Sequence, residues 1–569
     1  MAPENQSRGL FGRSLLCLQL GLFLTILAAY LLGDSRTPPY NDSKQIYTAA
    51  ESIVYRHSLG TPFPGGQFYD PHPLLTALAH VPGVMLRQAI AKADPAADRI
   101  VKPMTSHLGS QIAVAVGCLV FFRLLVHLGL SLASASLGTL VLAFATMMPI
   151  YARTAWSEAL QAACYIGFFS SLIRLKDQPT RKTGIWFGIW TGLLVNSKYV
   201  FALSLPGAFL FLAYHAWKTK RIRALVGACL WPAVPGIAFL AIILWYNWVR
   251  TGSSFNSGYP TLAGLTETVF REDLLVGLWS YLFSFGKSIF LYCPPLLLSL
   301  VAIPLVAKRC PSVLWALLLT AGPLICLYSK FVHWSGDWCW GPRYILFVVP
   351  GALIPAVFLI DHCLVDRRRI VGSLCAVVFV MGVWVQIVGA SQYWDAFIRV
   401  SKGAQVQWLG SPNRTGASTA DRGGGCDPCF EDFYARNYTP PFQPIEMQSW
   451  YLKHHLWSHS WAIAAKDVPF KRYTTIEFPA IRQWYEEPHW DWWKLDFVGR
   501  YRRAGNWMLT ALLAALLVGA ALWIRGLRTV TAPSSETGRS GSLPLWPRLR
   551  GFLAPRFGRL RDRLRGRGR

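Results

Sequence analysis

Residues Leu15 to Leu32 read LLCLQLGLFLTILAAYLL, and the chain turns polar directly behind them, through Gly33-Asp34-Ser35-Arg36 to Tyr40-Asn41-Asp42-Ser43-Lys44-Gln45-Ile46-Tyr47. The apolar run carries no charge and is long enough to cross the roughly 30 Å hydrocarbon layer of a bilayer. Arg8 and Arg13 precede it, and no small-residue cleavage site interrupts it. It is therefore expected to stay as a first membrane helix rather than leave as a signal peptide. The polar stretch 33–106 behind it holds Asp34, Asp42, Glu51, His57, Asp70 and His72, and the rest of the chain is organised around that stretch.

Further on, apolar spans alternate with short polar links. Spans are expected at 13–32, 107–128, 133–150, 156–173, 183–198, 199–217, 223–248, 286–306, 312–332, 343–361, 369–390 and 506–525, each close to the ~20 residues that crossing needs. The fifth and sixth share the polar hinge Asn196-Ser197-Lys198, and one long bent helix there would change the parity. With 53% hydrophobic and 15% charged residues in 569, the chain falls in the all-α polytopic membrane class, with about twelve transmembrane helices.

The net charge of +27 raises nucleic acid as a partner, but its placement argues against that. Arg174 to Lys182, Lys218 to Arg223, Lys308-Arg309 and Asp366 to Arg369 are links of one parity, and the tail from Arg548 to Arg569 joins them if there are twelve spans. The pattern is that of cytoplasmic links in a cell-membrane protein. Membrane lipid is the expected partner of the tail, at about 1 kcal/mol per basic residue near an anionic surface. The organisation expected is a membrane domain over 1–390 with its first outer loop at 33–106, an extracytoplasmic insert over 391–505, a last span at 506–525 and a basic cytoplasmic tail at 526–569.

Three polar regions then face outward: 33–106, 250–287 and 391–506. The last is dense in aromatics, among them Trp450, Tyr451, Trp457, Trp461, Trp490, Trp492 and Trp493, which either stack on saccharide or form an ordinary aromatic core. Among twelve cysteines only Cys426-Asp-Pro-Cys429 has a ligand-like spacing; outside the cytosol a local disulfide or, with His454-His455, a zinc site would satisfy it. Glu486, Glu487, His489 and Asp491 form a polar cluster without a clean metal-ligand spacing. Within the first loop, Ile46, Ala49, Ala50, Ile53 and Val54 recur at helical spacing, as in a helix lying on the membrane surface. Pro71 to Met85 reads as a second such segment. Asp42 stands at the positive end of the first, where a carboxylate is favoured in its ionised form.

Several runs taken in order resemble the GT-C superfamily of polyprenyl-phosphate-sugar-dependent glycosyltransferases, in its bacterial protein-mannosyltransferase and aminoarabinose-transferase-like branch. They are Asn41-Asp42-Ser43 with Tyr47; Tyr151-Ala-Arg153-Thr-Ala-Trp156-Ser-Glu158; Asn196-Ser-Lys198-Tyr199; Phe255-Asn-Ser-Gly258-Tyr259; Phe283-Ser-Phe-Gly286-Lys287 on to Pro295; and His333-Trp334-Ser-Gly-Asp337-Trp338-Cys-Trp340-Gly341-Pro342-Arg343-Tyr344. The likeness covers about residues 10–390. Members of that superfamily often carry Asp-Glu where this chain has Asp42-Ser43, which weakens any metal proposal and leaves a single-base mechanism intact.

The resemblance implies attack by an acceptor hydroxyl or amine on the anomeric carbon of a lipid-phosphate-linked sugar. Asp42 is the expected base; the alternative is a helix N-cap. Arg343, then Lys198, Lys287 and Arg153, are the expected phosphate contacts, since each sits at the outer end of a span and an Arg fork suits phosphate. Asp70 and His72 either bind acceptor, supply a second proton site or form a rigid Pro-bracketed turn. His333, Asp337 and Tyr344 border the same site and are expected to touch substrate. Trp334, Trp338 and Trp340 either stack on sugar or belong to an interfacial belt, and Glu158 is expected to pair with Arg153. No resident cofactor or metal ligand set is expected; a divalent cation is left open. The partners are a polyprenyl-phosphate sugar and a glycan, lipid or protein acceptor, with no nucleic acid. The rival functions are a flippase of lipid-linked sugar and a non-catalytic envelope assembly protein.

Overall fold

The computed structural model describes residues 3–64, 66–220, 222–258, 269–336, 339–366, 368–392, 443–469, 482, 485–486 and 490–531, with the backbone alone at 3–13, 63 and 529–531. Among the described residues the only sheet is an antiparallel hairpin, Thr61–Phe63 with Gly66–Phe68. Nine helices among them are long and apolar enough to cross a membrane. The protein is a helical, multi-pass membrane protein.

The helices are α1 (Pro3–Leu32), α2 (Asn41–Arg56), α3 (Leu74–Ala93), α4 (Asp98–His127), α5 (Leu132–Phe144), α6 (Met148–Ala152), α7 (Glu158–Asp177), α8 (Arg181–Ser197), α9 (Ser204–Thr219), α10 (Ile222–Cys229) and α11 (Ala233–Thr251). They continue with α12 (Leu274–Phe283), α13 (Ile289–Tyr292), α14 (Pro295–Arg309), α15 (Pro311–Ser329), α16 (Val349–Val365), α17 (Arg369–Ser391), α18 (Pro444–Trp457), α19 (Trp461–Ala464) and α20 (Arg502–Thr531). The centre of the bundle is α7, where Tyr165, Phe168, Phe169 and Leu172 are all fully buried. An apolar helix without a polar face needs neighbours on every side, and α4, α8, α15 and α16 supply them.

Several expected spans are broken for local reasons. The segment 133–150 divides into α5 and α6 because Pro149 offers no N–H to the preceding turn and its ring crowds the carbonyl four residues back. The hinge at Lys198 is a true break: α8 ends at Ser197, Lys198 is extended (φ −166°, ψ 125°), and a 3-10 turn, Tyr199–Leu203, leads into α9. The span at 286–306 is two helices, α13 and α14, parted at Cys293-Pro294. Inside the region read as a polar outer loop lies the apolar helix α12, whose start is capped by Asp273 accepting from the backbone N–H of Leu275 and Val276 at 2.7 and 3.3 Å.

The segment read as 71–85 runs on to Ala93. At 20 residues α3 is long and apolar enough to cross a membrane. Its surroundings place it across one end of the bundle instead. Just before α3, the carbonyls of Asp70 and Pro71 accept from Arg250 at the end of α11. Just after it, Asp94 accepts from Arg500 at the start of α20. A helix of this length covers about 30 Å, enough to bridge the two.

α20 lies along α1, and a side chain at Gly21 would run into the backbone of Trp523. That close approach of two apolar helices uses the small-residue packing common in membranes. It returns the late segment 490–501 to the place where α1 ends: the indoles of Trp492 and Trp493 donate to the Leu32 carbonyl at 2.7 and 3.2 Å. Of the outer insert, α18 packs against α17, and Trp450, Tyr451, Tyr485 and Trp490 meet ring to ring. Trp450 and Tyr451 are buried while Trp457 is 74% exposed, so the described part forms an aromatic core. His454 pairs with Asp467 at 2.6 Å. Cys426, Cys429, Glu487, His489 and the basic tail lie outside the described residues.

Candidate active site

Asp42 enters the structure on the first turn of α2, after an Asn41 held in the left-handed region (φ 49°), which asparagine tolerates better than most residues. The cap is Tyr40, not Asp42. The Ser43 hydroxyl accepts the Tyr40 N–H at 2.8 Å and donates to the Tyr40 carbonyl at 2.6 Å. The serine that stands where the resembled enzymes often carry a second acid thus holds the helix start together, and the Asp42 carboxylate is left to point away. The buried face of α2 is Ile46, Tyr47, Ala49 and Ala50, which seat it against α3.

The first loop carries six carboxylates, and five are closed on partners within the fold. Asp34, fully buried, meets His107 at 3.0 Å, and Glu51 is bridged to Arg87 and to Lys102. Asp98 takes the same Arg87 at 2.6 Å, Asp94 takes Arg500 at 2.8 Å, and Asp70 meets His72 at 2.6 Å. Asp42 is the most open of the six, with its side chain 50% exposed, and faces Arg343.

Arg343 is the centre of the site. Its Nη2 stands 3.6 Å from Asp42 Oδ2, and its Nε stands 3.9 Å from Oε1 of the buried Glu158. Both separations exceed a hydrogen bond, and the buried Nε has no hydrogen-bond partner. Nη2 donates to the Tyr344 hydroxyl at 3.0 Å, and the guanidinium lies over the Trp156 ring at 5.0 Å and the Tyr344 ring at 4.8 Å. The chain reaches this position through Gly336, at φ 68°; a Cβ there would stand 2.6 Å from Arg343 Cγ. Only glycine meets both demands comfortably.

Lys198 joins the group from the break between α8 and α9. Its ammonium sits 5.0 Å from the Tyr344 ring and 5.4 Å from the Tyr328 ring, and those two rings stack at 5.2 Å. Phe331 packs edge-on to Tyr344 and to the exposed His333, which places His333 on the rim of the same aromatic group.

Two expected phosphate contacts stand elsewhere. The Lys287 ammonium is buried and donates to the carbonyls of Cys339 and Gly341 at 2.7 and 3.2 Å. It braces the loop ahead of Arg343. Arg153 donates to the carbonyls of Ala390 and Asp491 and pairs with the Asp491 carboxylate at 3.3 Å. The expected Arg153–Glu158 pair does not form: Arg153 goes to Asp491, and Glu158 faces Arg343. Nor do Trp334 and Trp340 form a belt or a stacking platform. Both are 2% exposed or less and pack edge-on against Tyr281 and Tyr292 respectively. Asp337 and Trp338 lie outside the described residues.

Asp70 and His72 form a tight local turn. Asp70 Oδ1 accepts both the His72 backbone N–H at 3.1 Å and its ring Nδ1 at 2.6 Å, while Asp70 Oδ2 is buried without a hydrogen bond. Among the described residues no hydrogen bond or ion pair links this turn to Asp42 or Arg343.

Two residues were not visible as organisers from the sequence. Asp491 accepts from the Ser35 hydroxyl at 2.7 Å, the Arg36 N–H at 3.0 Å and the Thr37 hydroxyl at 3.1 Å, besides Arg153. It ties the late outer segment to the loop that presents Asp42. Arg250 does the same for the Asp70 turn. No local pattern signals either, since each partner lies more than a hundred residues away. A cavity of about 60 Å³ lies below Tyr40 and Trp156. Tyr40 also lines a cleft of about 1330 Å³, together with Arg36, Asn41, Lys44, Arg99 and Lys102. Among the described residues no three His, Cys, Asp or Glu side chains gather as metal ligands.

No protein-family model matches the chain, and no curated protein matches it. Among solved structures, ArnT from Cupriavidus metallidurans in the apo state is similar at 12% identity and a TM-score of 0.44, over 91% of this chain and 78% of that one. ArnT from the same organism bound to undecaprenyl phosphate gives 12% identity and a TM-score of 0.40, over 93% and 78%. The archaeal oligosaccharyltransferase AglB from Archaeoglobus fulgidus, in complex with an inhibitory peptide and a dolichol-phosphate, gives 11% identity and a TM-score of 0.41, over 75% of this chain and 60% of that one. At these values the likeness assigns this chain neither family nor role.

Proposed function

We propose that the chain is an integral-membrane glycosyltransferase of the GT-C type. It transfers a sugar from a polyprenyl-phosphate donor to an envelope glycan, lipid or protein acceptor on the extracytoplasmic face of the cell membrane. The observation that carries this reading is the Asp42–Arg343–Glu158 group: one open carboxylate and one buried guanidinium with donor capacity left over, at the end of the bundle away from the basic links.

In the proposed step an acceptor hydroxyl oxygen forms a bond to the anomeric carbon. The bond from that carbon to the phosphate oxygen breaks, and its electron pair leaves on the phosphate. Asp42 takes the acceptor proton, and attack opposite the leaving group inverts the anomeric centre. A positioned base of this kind contributes roughly 10²–10⁴-fold. Arg343 binds the phosphate and stabilises the charge that builds on it, with Lys198 as second cation across the Tyr344 ring. Glu158 holds the Arg343 fork in place from behind. His333, Asp337 and Tyr344 are the proposed sugar contacts. Arg153 and Lys287 are left out of the phosphate site, because their donors are engaged with carbonyls and a carboxylate of the fold.

The test is purified full-length protein in detergent with a polyprenyl-phosphate-linked sugar and an envelope extract as acceptor. Transfer that is lost in Asp42→Asn supports the reading. Vesicle translocation of the donor without transfer supports a flippase and overturns it. Repeating the assay with a chelator decides the requirement for a divalent cation.

A further inference from the structure

We propose that the start of α20 binds an anionic phospholipid, with the headgroup on Arg502 and Arg503 and the acyl chains along the outward face of the helix below them. The inference does not rest on the transferase reading. α20 runs antiparallel to α1, since Gly21 meets Gly519 and Trp523 while Gly526 meets Leu18. Its first turn therefore lies at the end of the bundle where α1 stops, opposite the basic links. Packing fixes which way that turn faces. Met508, Leu509 and Leu512 pack with Met104, Trp493 and Phe497, and a side chain at Gly505 would run into Phe497. At about 3.6 residues per turn, Arg503, Trp507, Ala514 and Val518 then share the opposite face. Exposure agrees: Trp507 is 75% exposed and Val518 54%. In a helix that crosses a membrane this stripe meets acyl chains, and Arg503 stands at its top, one turn before Trp507.

Arg502 and Arg503 are exposed, and among the described residues neither side chain has a hydrogen bond or an ion pair. A Cβ at Gly505 would stand 3.0 Å from Lys494 Nζ, so a third cation lies against the same turn. The carboxylates close by in the fold are engaged. Asp94 accepts from Arg500 and Tyr501 at 2.8 and 2.9 Å, and Asp496 faces Arg36 at 3.2 Å. Three cations at the positive end of a helix repel one another and the macrodipole, and a bound anion offsets both. Orientation of the chain does not account for them, because the cations that set topology gather at the opposite end. The anion this surface fits is amphipathic. Beside the cations in the chain stand Trp507, Val498 at 66% exposure and Leu495 at 42%. A free phosphate or a saccharide would use the arginines and leave those apolar side chains in water. A phospholipid uses both: its phosphate suits the arginine forks, and indole rings settle at the boundary between headgroups and acyl chains. Such a lipid fastens the segment 490–501, where Asp491 holds Arg153 and the loop ahead of Asp42.

The experiment uses the full chain in nanodiscs of phosphatidylcholine, without donor, so that no turnover is needed. A small share of the lipid carries a photoactivatable diazirine on its acyl chain, under either a phosphatidylglycerol or a phosphatidylcholine headgroup. Cross-linked peptides are identified by mass spectrometry, and the basic tail, which also attracts anionic lipid, is read on its own peptides. Labelling of residues 495–518 is expected to be at least about fivefold stronger from the anionic probe, the effect of one basic residue near an anionic surface. The double variant Arg502→Gln, Arg503→Gln is expected to fall to the level of the zwitterionic probe while keeping its melting temperature in lipid-free detergent, since both side chains are exposed. Arg503→Lys, which keeps the charge, is expected to keep most of the labelling. Equal labelling from the two headgroups, or anionic labelling unmoved in the double variant, would overturn the proposal. Displacement of the probe by excess inorganic phosphate would assign the arginines to a free phosphate group and overturn the lipid reading as well.

Discussion

Arg343 Nη2 lies 3.6 Å from Asp42 Oδ2, across an interface between the first loop and the start of the helix α16 segment. The separation is too long for a hydrogen bond, so the guanidinium faces the carboxylate without occupying its lone pairs. A carboxylate whose lone pairs are left open to a proton is what the proposed transfer needs. The same guanidinium faces Glu158 with its Nε, which fixes the fork from the buried side.

Asp42→Asn should keep the fold and lose the reaction. The cap of α2 belongs to Tyr40 and Ser43, so the substitution removes no helix-start bond. A fall in transfer rate of about 10²-fold or more, with an unchanged melting temperature, is expected. Ser43→Ala should do the opposite: it removes the cap, costing about 1 kcal/mol, with the base still present.

Arg343 and Glu158 should be coupled. Arg343→Ala leaves a buried Glu158 carboxylate facing no cation, a situation that costs about 3–5 kcal/mol. Glu158→Gln in the same chain should restore much of that stability but not the donor affinity. A thermal-denaturation cycle checks the first expectation and the donor KM the second. If the double variant regains donor use, the phosphate role of Arg343 is refuted.

Lys198 and Lys287 should separate cleanly. Lys198→Ala is expected to raise the donor KM with little effect on melting temperature, because its ammonium meets the rings of Tyr344 and Tyr328 and, among the described residues, makes no hydrogen bond or ion pair. Lys287→Ala is expected to lower the melting temperature instead, since it orphans the carbonyls of Cys339 and Gly341 in a buried loop. Equal donor effects from both would contradict the placement of Lys287 in the scaffold.

Arg153 and Asp491 should behave as one unit. Either alanine variant opens the joint between the late outer segment and the loop presenting Asp42. The double variant should be barely less stable than the single ones, giving a coupling energy of about 1–3 kcal/mol. Additive losses would mean that the pair is not the fastening seen here.

Gly336→Ala should impair donor use more than stability. The position needs a positive φ, and a methyl group there would press on the Arg343 side chain. Measuring the donor KM alongside melting temperature decides it.

The class of the protein is legible in the sequence because the bilayer imposes a local rule. Each crossing needs about twenty apolar residues in a row, and Leu15 to Leu32 or Arg369 to Ser391 satisfy it without reference to any other part of the chain. The placement of basic links and the helical stripe of α2 are equally local. Asp42 and Arg343 could be named because the short runs that carry the resemblance, Asn41-Asp42-Ser43 and Trp340-Gly341-Pro342-Arg343, are local as well. Which carboxylate meets which cation was not legible. Arg153, Lys287 and Arg343 look alike in the sequence, each a cation beside aromatics at the outer end of a span. Only packing separates them: Asp491 captures the first, a pair of backbone carbonyls the second, and the third alone is left between two carboxylates. Such pairings depend on where helices stop and how closely they approach, at Pro149, at Lys198 and at Gly21. These are sums of many small packing energies that no single stretch of sequence contains.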